Sequence, residues 1–142
     1  MLPNDEETRE LLRRARTIAV VGLSDKPDRD SNGIARYLLT QGYDIIPVNP
    51  NLSEVLGRPA FPSIRSIPPE RFVDVVDIFR RSDQVAPIVD EAIARGVGTI
   101  WMQLGVESET AAAAARAHGI RVYQNRCIMV EHRRLRVGPA HG

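Results

Sequence analysis

Five short runs rich in apolar and β-branched residues, Thr17–Gly22, Tyr43–Val48, Val73–Phe79, Val97–Gln103 and Ile120–Tyr123, alternate with segments of helical period or with loops. No longer repeat is present, and this alternation predicts an α/β fold with a parallel five-stranded sheet covered by helices on both faces. Right-handed crossovers favour a doubly wound order, 3-2-1-4-5 when the strands are numbered along the chain. Such sheets take their ligands beyond the C-terminal strand ends where the order reverses, here between the first and fourth strands. The residues expected there are Gly22–Ser24, Asn49–Asn51, Phe79–Arg81, Gln103–Gly105 and Asn125–Cys127.

The first of these ends is the most informative. Ile18-Ala19-Val20-Val21 stops at Gly22, a polar loop runs from Ser24 to Asn32, and a helical pattern starts near Gly33. Strand, glycine turn and helix start together aim backbone N–H groups and a positive dipole end at one place, which suits a phosphate. Lys26 and Arg29 add charge, and Ser24 and Ser31 add hydroxyl donors. A plain turn with a solvated loop fits the same residues.

Elsewhere the segment signals are local. Asn4 can cap a helix over about 4–15, with Asp5, Glu6 and Glu7 in its first turn and Arg13 and Arg14 in its last. Its only strong apolar residues are Leu11 and Leu12, so it is expected on the domain surface. The helix after the glycine loop should end at Gly42. Pro47 lies inside the second strand and lacks a donor, so its nitrogen should face a gap or an edge. Leu52–Leu56 reads as one helical turn closed by Gly57, and a Pro-rich connection follows. Ser82 is placed to cap a helix ending at Gly96. Glu107–His118 forms another helix, alanine-rich in its middle and able to sit close to its sheet. The chain from Val137 is expected to fray, leaving one domain with its core over about 17–135.

A chain of 142 residues is long enough for one domain with a real core. A net charge of +1 gives no argument for nucleic acid or membrane. Eighteen of the nineteen basic residues are Arg; the one Lys is Lys26, and compositional bias explains the ratio. The single cysteine, Cys127, cannot form an internal disulfide and points to a reducing compartment. With no apolar leader and no run of roughly 20 apolar residues, the expected location is the cytoplasm.

NAD is the default ligand of this architecture, and two features oppose it. The dinucleotide fingerprint needs G-x-G-x-x-G, but Gly22 is followed by Leu23-Ser24-Asp25 and the next glycine is Gly33. The second strand should end near an acidic residue that holds the ribose, and Asn49-Pro50-Asn51 stands there instead. No P-loop motif occurs. The stretches VVGLSDKPDRDSNGIARYLLTQGYDIIPVNPN, DVVDIFRRSDQV, IWMQLGV and NRCIMVEHRRL together resemble the small single-domain CoA-binding proteins, over roughly Thr17–Leu135. These in turn are similar to the N-terminal CoA-binding domain of succinyl-CoA synthetase α-subunits and related acyl-CoA synthetases.

The resemblance implies a Rossmann-like domain that binds coenzyme A or an acyl-CoA. On the matching positions, Gly22, Ser24, Lys26, Arg29, Ser31 and Asn32 would hold the phosphates. Asn49 and Pro50 would lie against the adenosine, Phe79 and Arg80 beside the nucleotide, and Trp101, Met102 and Gln103 along the pantetheine path. CoA carries an extra ribose phosphate, for which Arg29, Arg80 and Arg81 are suitable bidentate partners. Side-chain alternation along a strand would let at most one of Arg80 and Arg81 face it. The synthetase α-subunit also has a second domain bearing a phosphorylated histidine, which this sequence does not contain. His118, His132 and His141 have no glycine-rich context or obvious acidic partner.

Other chemistry is weakly supported. Cys127 could form a mixed disulfide with a CoA thiol or act as a sensing thiol, or could be a packed residue at a strand end. Cys127 and His132 lack an orienting third group, and one Cys with three scattered His gives no metal-ligand spacing. Asp74 and Asp77 fall on opposite strand faces and should not share a proton. Trp101 and Met102 could stack on a ligand or pack under a helix. The expected function is therefore a non-catalytic or accessory CoA-binding module, with an unidentified protein partner left open. The alternatives are a nucleotide-dependent oxidoreductase, a partner-requiring subunit of an acyl-CoA-transforming enzyme, and an interaction domain with a vestigial cleft.

Overall fold

In a computed structural model, residues 2–139 are described. Five parallel strands form the sheet: β1 (Thr17–Val21), β2 (Asp44–Val48), β5 (Val75–Ile78), β6 (Thr99–Met102) and β7 (Arg121–Tyr123), in the order β2-β1-β5-β6-β7. A short antiparallel hairpin, β3 (Glu54–Val55) and β4 (Arg58–Pro59), stands apart. The helices are α1 (Asp5–Arg14), α2 (Asp30–Thr40), α3 (Val85–Arg95), α4 (Glu109–Ala117) and α5 (Ile128–Arg134).

The parallel, doubly wound class is the expected one; the strand order is not. Along the five long strands it runs 2-1-3-4-5 rather than 3-2-1-4-5, because β5 pairs with the other edge of β1, Ile18 opposite Val75 and Val21 opposite Ile78. The outer edge of β2 explains the choice. Phe61 occupies it, donating its N–H to the Pro47 carbonyl at 3.0 Å and accepting from the Asn49 N–H at 2.9 Å. Pro47 offers that edge no donor, so a full strand cannot ladder along it. The reversal therefore lies between β1 and β5, not between the first and fourth strands.

Alternate strand residues feed two cores, as the period of two requires. Ile18, Val20, Ile45, Val75 and Trp101 pack with α1, α2 and α5; Ala19, Val21, Ile46, Val76, Ile78 and Ile100 pack with α3 and α4. The Pro-rich connection covers the second face through Ile64 and Ile67. One guanidinium fastens it: Arg95 donates to the carbonyls of Ile64, Ile67, Pro68 and Arg71 at 2.5–3.2 Å. Helix α1 has the full capping box between Asn4 and Glu7. It buries Leu11 and Leu12, and its Thr8 hydroxyl meets the Tyr123 hydroxyl at 2.7 Å.

Four local expectations change. Residues 52–56 are not a helical turn: Leu56 and Gly57, with φ of 54° and 75°, make the turn of the β3–β4 hairpin. Helix α2 starts at Asp30, three residues before Gly33, so Ser31 and Asn32 belong to its first turn. Ser82 does not cap its own helix; its hydroxyl accepts from the Glu107 N–H at 2.9 Å. The C-terminal stretch contains helix α5, after which Val137 is buried and donates to the His132 carbonyl at 3.2 Å. The rest of the expected fray, from residue 140, lies outside the described residues.

Candidate functional site: a cleft at the strand reversal

Strand β1 is followed at once by Gly22, whose φ is +86°, and a β-carbon there would meet the Phe79 carbonyl oxygen at 2.3 Å. Only glycine lets the two central strands leave the sheet this close together. The gap they open is a cleft of about 940 Å³ lined from four strand ends. Its walls come from the loop after β1 with the start of α2, from Phe79–Arg81 after β5, from Gln103–Val106 after β6, and from Cys127–Val130 after β7.

The loop after β1 is held from within. The Ser31 hydroxyl accepts from the Ser24 N–H at 3.0 Å, and the Ser24 hydroxyl accepts from the Lys26 N–H at 3.1 Å. Buried Asn32 donates to the Ser24 carbonyl at 2.9 Å and accepts from Arg36 at 2.8 Å. Arg36 also donates to the Pro27 carbonyl at 3.0 Å. The polar side chains picked out as phosphate ligands thus first shape their own loop. Gly22, Ser24, Arg29 and Ser31 line the cleft; exposed Lys26 and buried Asn32 do not.

After β5 both Arg80 and Arg81 reach the cleft. Strand alternation does not apply to them, because β5 ends at Ile78. Arg81 is held by Asp83 at 3.2 Å. Asp28 on the facing loop and Asp30 at the start of α2 also line the cleft. Three guanidinium groups and two carboxylates therefore share the end of the cleft nearest the reversal.

The remaining expected residues divide. Phe79 and Gln103 line the cleft. Gln103 is buried, and its side-chain Oε1 accepts from the Ile128 N–H at 3.0 Å, seating the start of α5. Asn49 serves the backbone, donating to the Leu23 carbonyl at 3.0 Å and accepting from the Asn51 N–H at 2.9 Å. Pro50 borders a separate depression of about 180 Å³ that also touches Arg80. Trp101 and Met102 are in the core, not the cleft. Trp101 stacks on Tyr123 with centroids 4.1 Å apart and donates to the Arg126 carbonyl at 2.9 Å. Cys127 is half-buried on the cleft wall.

Leu104 lines the wall from an expected strand end, and wall residues that the sequence did not single out include Met129 and Val130. These two lie on a helix whose seven residues give little periodic signal.

Two buried groups with shifted pKa, Asp77 and His132, lie away from this wall. Asp77 sits on β5 opposite Val20 and Trp101, fully buried, with neither carboxyl oxygen hydrogen-bonded. Burial pushes its pKa well above the carboxylate range. Asp74, by contrast, accepts from the N–H groups of Arg16 and Thr17, both at 2.9 Å. His132 is buried on α5, its Nδ1 2.7 Å from the Tyr37 hydroxyl and its ring edge-on to Tyr37 and Tyr43. Burial lowers its pKa, against a smaller opposing pull from the Gly138 backbone. His118 Nδ1 lies 3.0 Å from the Ala114 carbonyl oxygen, and His141 is outside the described residues. Among the described residues no cluster of His, Cys, Asp and Glu could hold a metal, and no helix is long and apolar enough to cross a membrane.

Comparison with known proteins places this geometry. A family described as a CoA binding domain matches residues 16–133. The uncharacterized protein YneT of Bacillus subtilis is 38% identical over 130 residues, covering 92% of this chain and 95% of YneT. A hypothetical protein from Pyrococcus horikoshii has a solved structure that superposes with a TM-score of 0.90 at 42% identity, over 94% of this chain and 92% of that one. The ADP-forming acetate–CoA ligase II of Archaeoglobus fulgidus is 29% identical over 120 residues, 76% of this chain but 18% of the ligase. A parallel doubly wound sheet with its cleft at the reversal, matched over most of its length, makes this chain a member of the CoA-binding-domain family.

Proposed function

We propose that the protein binds coenzyme A in the cleft at the β1–β5 reversal, with the CoA phosphates against the Gly22–Asn32 loop and the arginines facing it. The observation that carries this reading is the convergence of Arg29, Arg80 and Arg81 on one cleft from two adjacent strand ends, over a glycine turn. Guanidinium groups present several donors in a planar fork and suit phosphate oxygens. Arg29 precedes the first turn of α2, so an anion beside it also meets the positive end of that helix. Ser24, Ser31 and Asn32 act by fixing the loop, and Arg80 stands at the junction of the cleft and the smaller depression beside Pro50.

The role is binding rather than chemistry. Catalytic sites gather groups of perturbed pKa in a cleft, and here the buried groups of that kind, Asp77 and His132, are packed into the core. Calorimetric titration with CoA, NAD and NADP in parallel tests the reading. Saturable binding of CoA alone supports it; binding of a nicotinamide nucleotide in preference to CoA overturns it.

A further inference from the structure

Cys127 stands over the end of β6, although it follows β7 in the chain. Arg126 donates its N–H to the Met102 carbonyl at 3.3 Å, and Ile128 donates its N–H to the Gln103 side chain at 3.0 Å. The residue between them is thereby held beside Gln103 on the cleft wall, half-buried and with its thiol free. Gln103 gives an independent pointer to a ligand. It is only 3% exposed, yet it lines the cleft. A backbone N–H can only donate, so the side-chain oxygen is the atom that meets Ile128, and the Nε2 amide is left with no partner among the described residues. A donor so nearly buried goes unmatched unless a ligand in the cleft supplies an acceptor.

We propose that Cys127 is a site of thiol–disulfide exchange with the thiol end of coenzyme A, and that Gln103 Nε2 positions the pantetheine arm for it by donating to an amide carbonyl. This rests on the CoA-binding reading and adds a covalent step to it. The end of β6 is one strand out from β5 and two from β1. At about 4.8 Å per strand, Cys127 therefore lies within roughly 10 Å of the strand ends that carry the arginines. The arm has three units in series between diphosphate and thiol, each at least as long as a residue's extended step of about 3.5 Å, and so spans that distance. The co-reactant is CoA disulfide. The Cys127 thiolate attacks one sulfur of its S–S bond, and the Cys127–CoA disulfide forms as that bond breaks. The second CoA leaves as a thiolate and takes up the proton that Cys127 has lost, so no other oxidant is needed. The event is one modification per chain rather than turnover, and a small thiol reverses it.

The test follows intact mass over time on the full chain at pH 8, with CoA disulfide and with hydroxyethyl disulfide, which has no phosphate end. Calorimetric titration with CoA runs alongside. The expected result is one CoA added per chain, at a rate that saturates with CoA disulfide. At about 10 μM reagent it should be roughly 100-fold faster than hydroxyethyl disulfide, because binding raises the local disulfide concentration to about the millimolar range. Adenosine 3′,5′-bisphosphate, which has phosphates but no arm, should slow it. Cys127→Ser should bind CoA and take up none covalently. Gln103→Glu keeps an acceptor for Ile128 and removes the donor, so the ratio of the two rates should fall about 10-fold, the worth of one hydrogen bond. A merely structural role for Gln103 would change both rates alike and leave the ratio, which would overturn the positioning role. Equal rates with both disulfides, or no added mass on a protein that binds CoA, would overturn the exchange site while leaving CoA binding intact. No binding of CoA would remove the CoA reading and this proposal with it.

Discussion

A β-carbon on Gly22 would stand 2.3 Å from the carbonyl oxygen of Phe79, and this single approach joins the two strands that frame the cleft. The backbone at Gly22 also has φ of +86°, where an L side chain is strained. Gly22→Ala is therefore expected to cost at least about 2 kcal/mol, from the left-handed backbone penalty with the clash added. Chemical denaturation checks it. A variant as stable as the parent would show that the strand ends can part without loss.

Arg29 is exposed and makes no ion pair with a described residue, so its removal should leave the fold untouched. Arg29→Ala is expected to change unfolding free energy by less than about 0.5 kcal/mol. It should weaken CoA binding roughly 10-fold or more, a loss that shrinks as salt is raised. Comparing melting curves and CoA titrations at two ionic strengths reads both quantities. Equal damage to apo stability would make Arg29 a structural residue.

Arg95 fastens the Pro-rich connection through four carbonyls, a geometry that needs a planar fork. Arg95→Lys keeps the charge but loses most of these bonds, and a loss of about 2 kcal/mol is expected. Hydrogen exchange in residues 60–72 should accelerate in the variant. Protection unchanged there would mean that packing of Ile64 and Ile67 holds the segment without the clamp.

Two buried groups give opposite pH signatures. Asp77 keeps its proton in the fold, while the unfolded chain loses it above its ordinary pKa near 4. The fold therefore loses stability as pH rises from there toward the raised folded pKa. Asp77→Val should raise stability at pH 7 by at least about 1–3 kcal/mol, the cost of an unsatisfied buried polar group, and the gain should shrink toward pH 4, where only that pH-independent part is left. His132 stays neutral in the fold, while the unfolded chain takes a proton below about 6.5. Its contribution is thus lost as pH falls below that value. Denaturation series between pH 4 and 8 on the parent and both Asp77→Val and His132→Phe would show these slopes. Parallel slopes in all three proteins would contradict the assignments.

Features governed by local chemistry could be read from the sequence. The Asn4–Glu7 capping box, the five long strands, the Gly22 turn and the edge position of Pro47 follow from residue type and spacing within a few positions. The order of the strands did not, because it depends on Phe61 claiming the outer edge of β2 across a loop of irregular structure. Within the cleft, Gly22, Phe79, Arg80 and Gln103 stood at predictable strand ends, and Arg29 in the polar loop after the first of them. Trp101 and Met102 were misplaced because an apolar strand terminus looks the same whether it faces a ligand or a helix. Leu104 stood within an expected strand end, but its exposure beside Val130 was invisible, since exposure is decided by tertiary packing and α5 is too short to show its period.

The most direct test of the central claim is an amide NMR titration of the protein with CoA. The account predicts saturable shifts in Gly22–Ile34, Phe79–Arg81 and Gln103–Val106, and no comparable response to NAD. Shifts confined to other surfaces, or the same pattern produced equally by NAD, would contradict it.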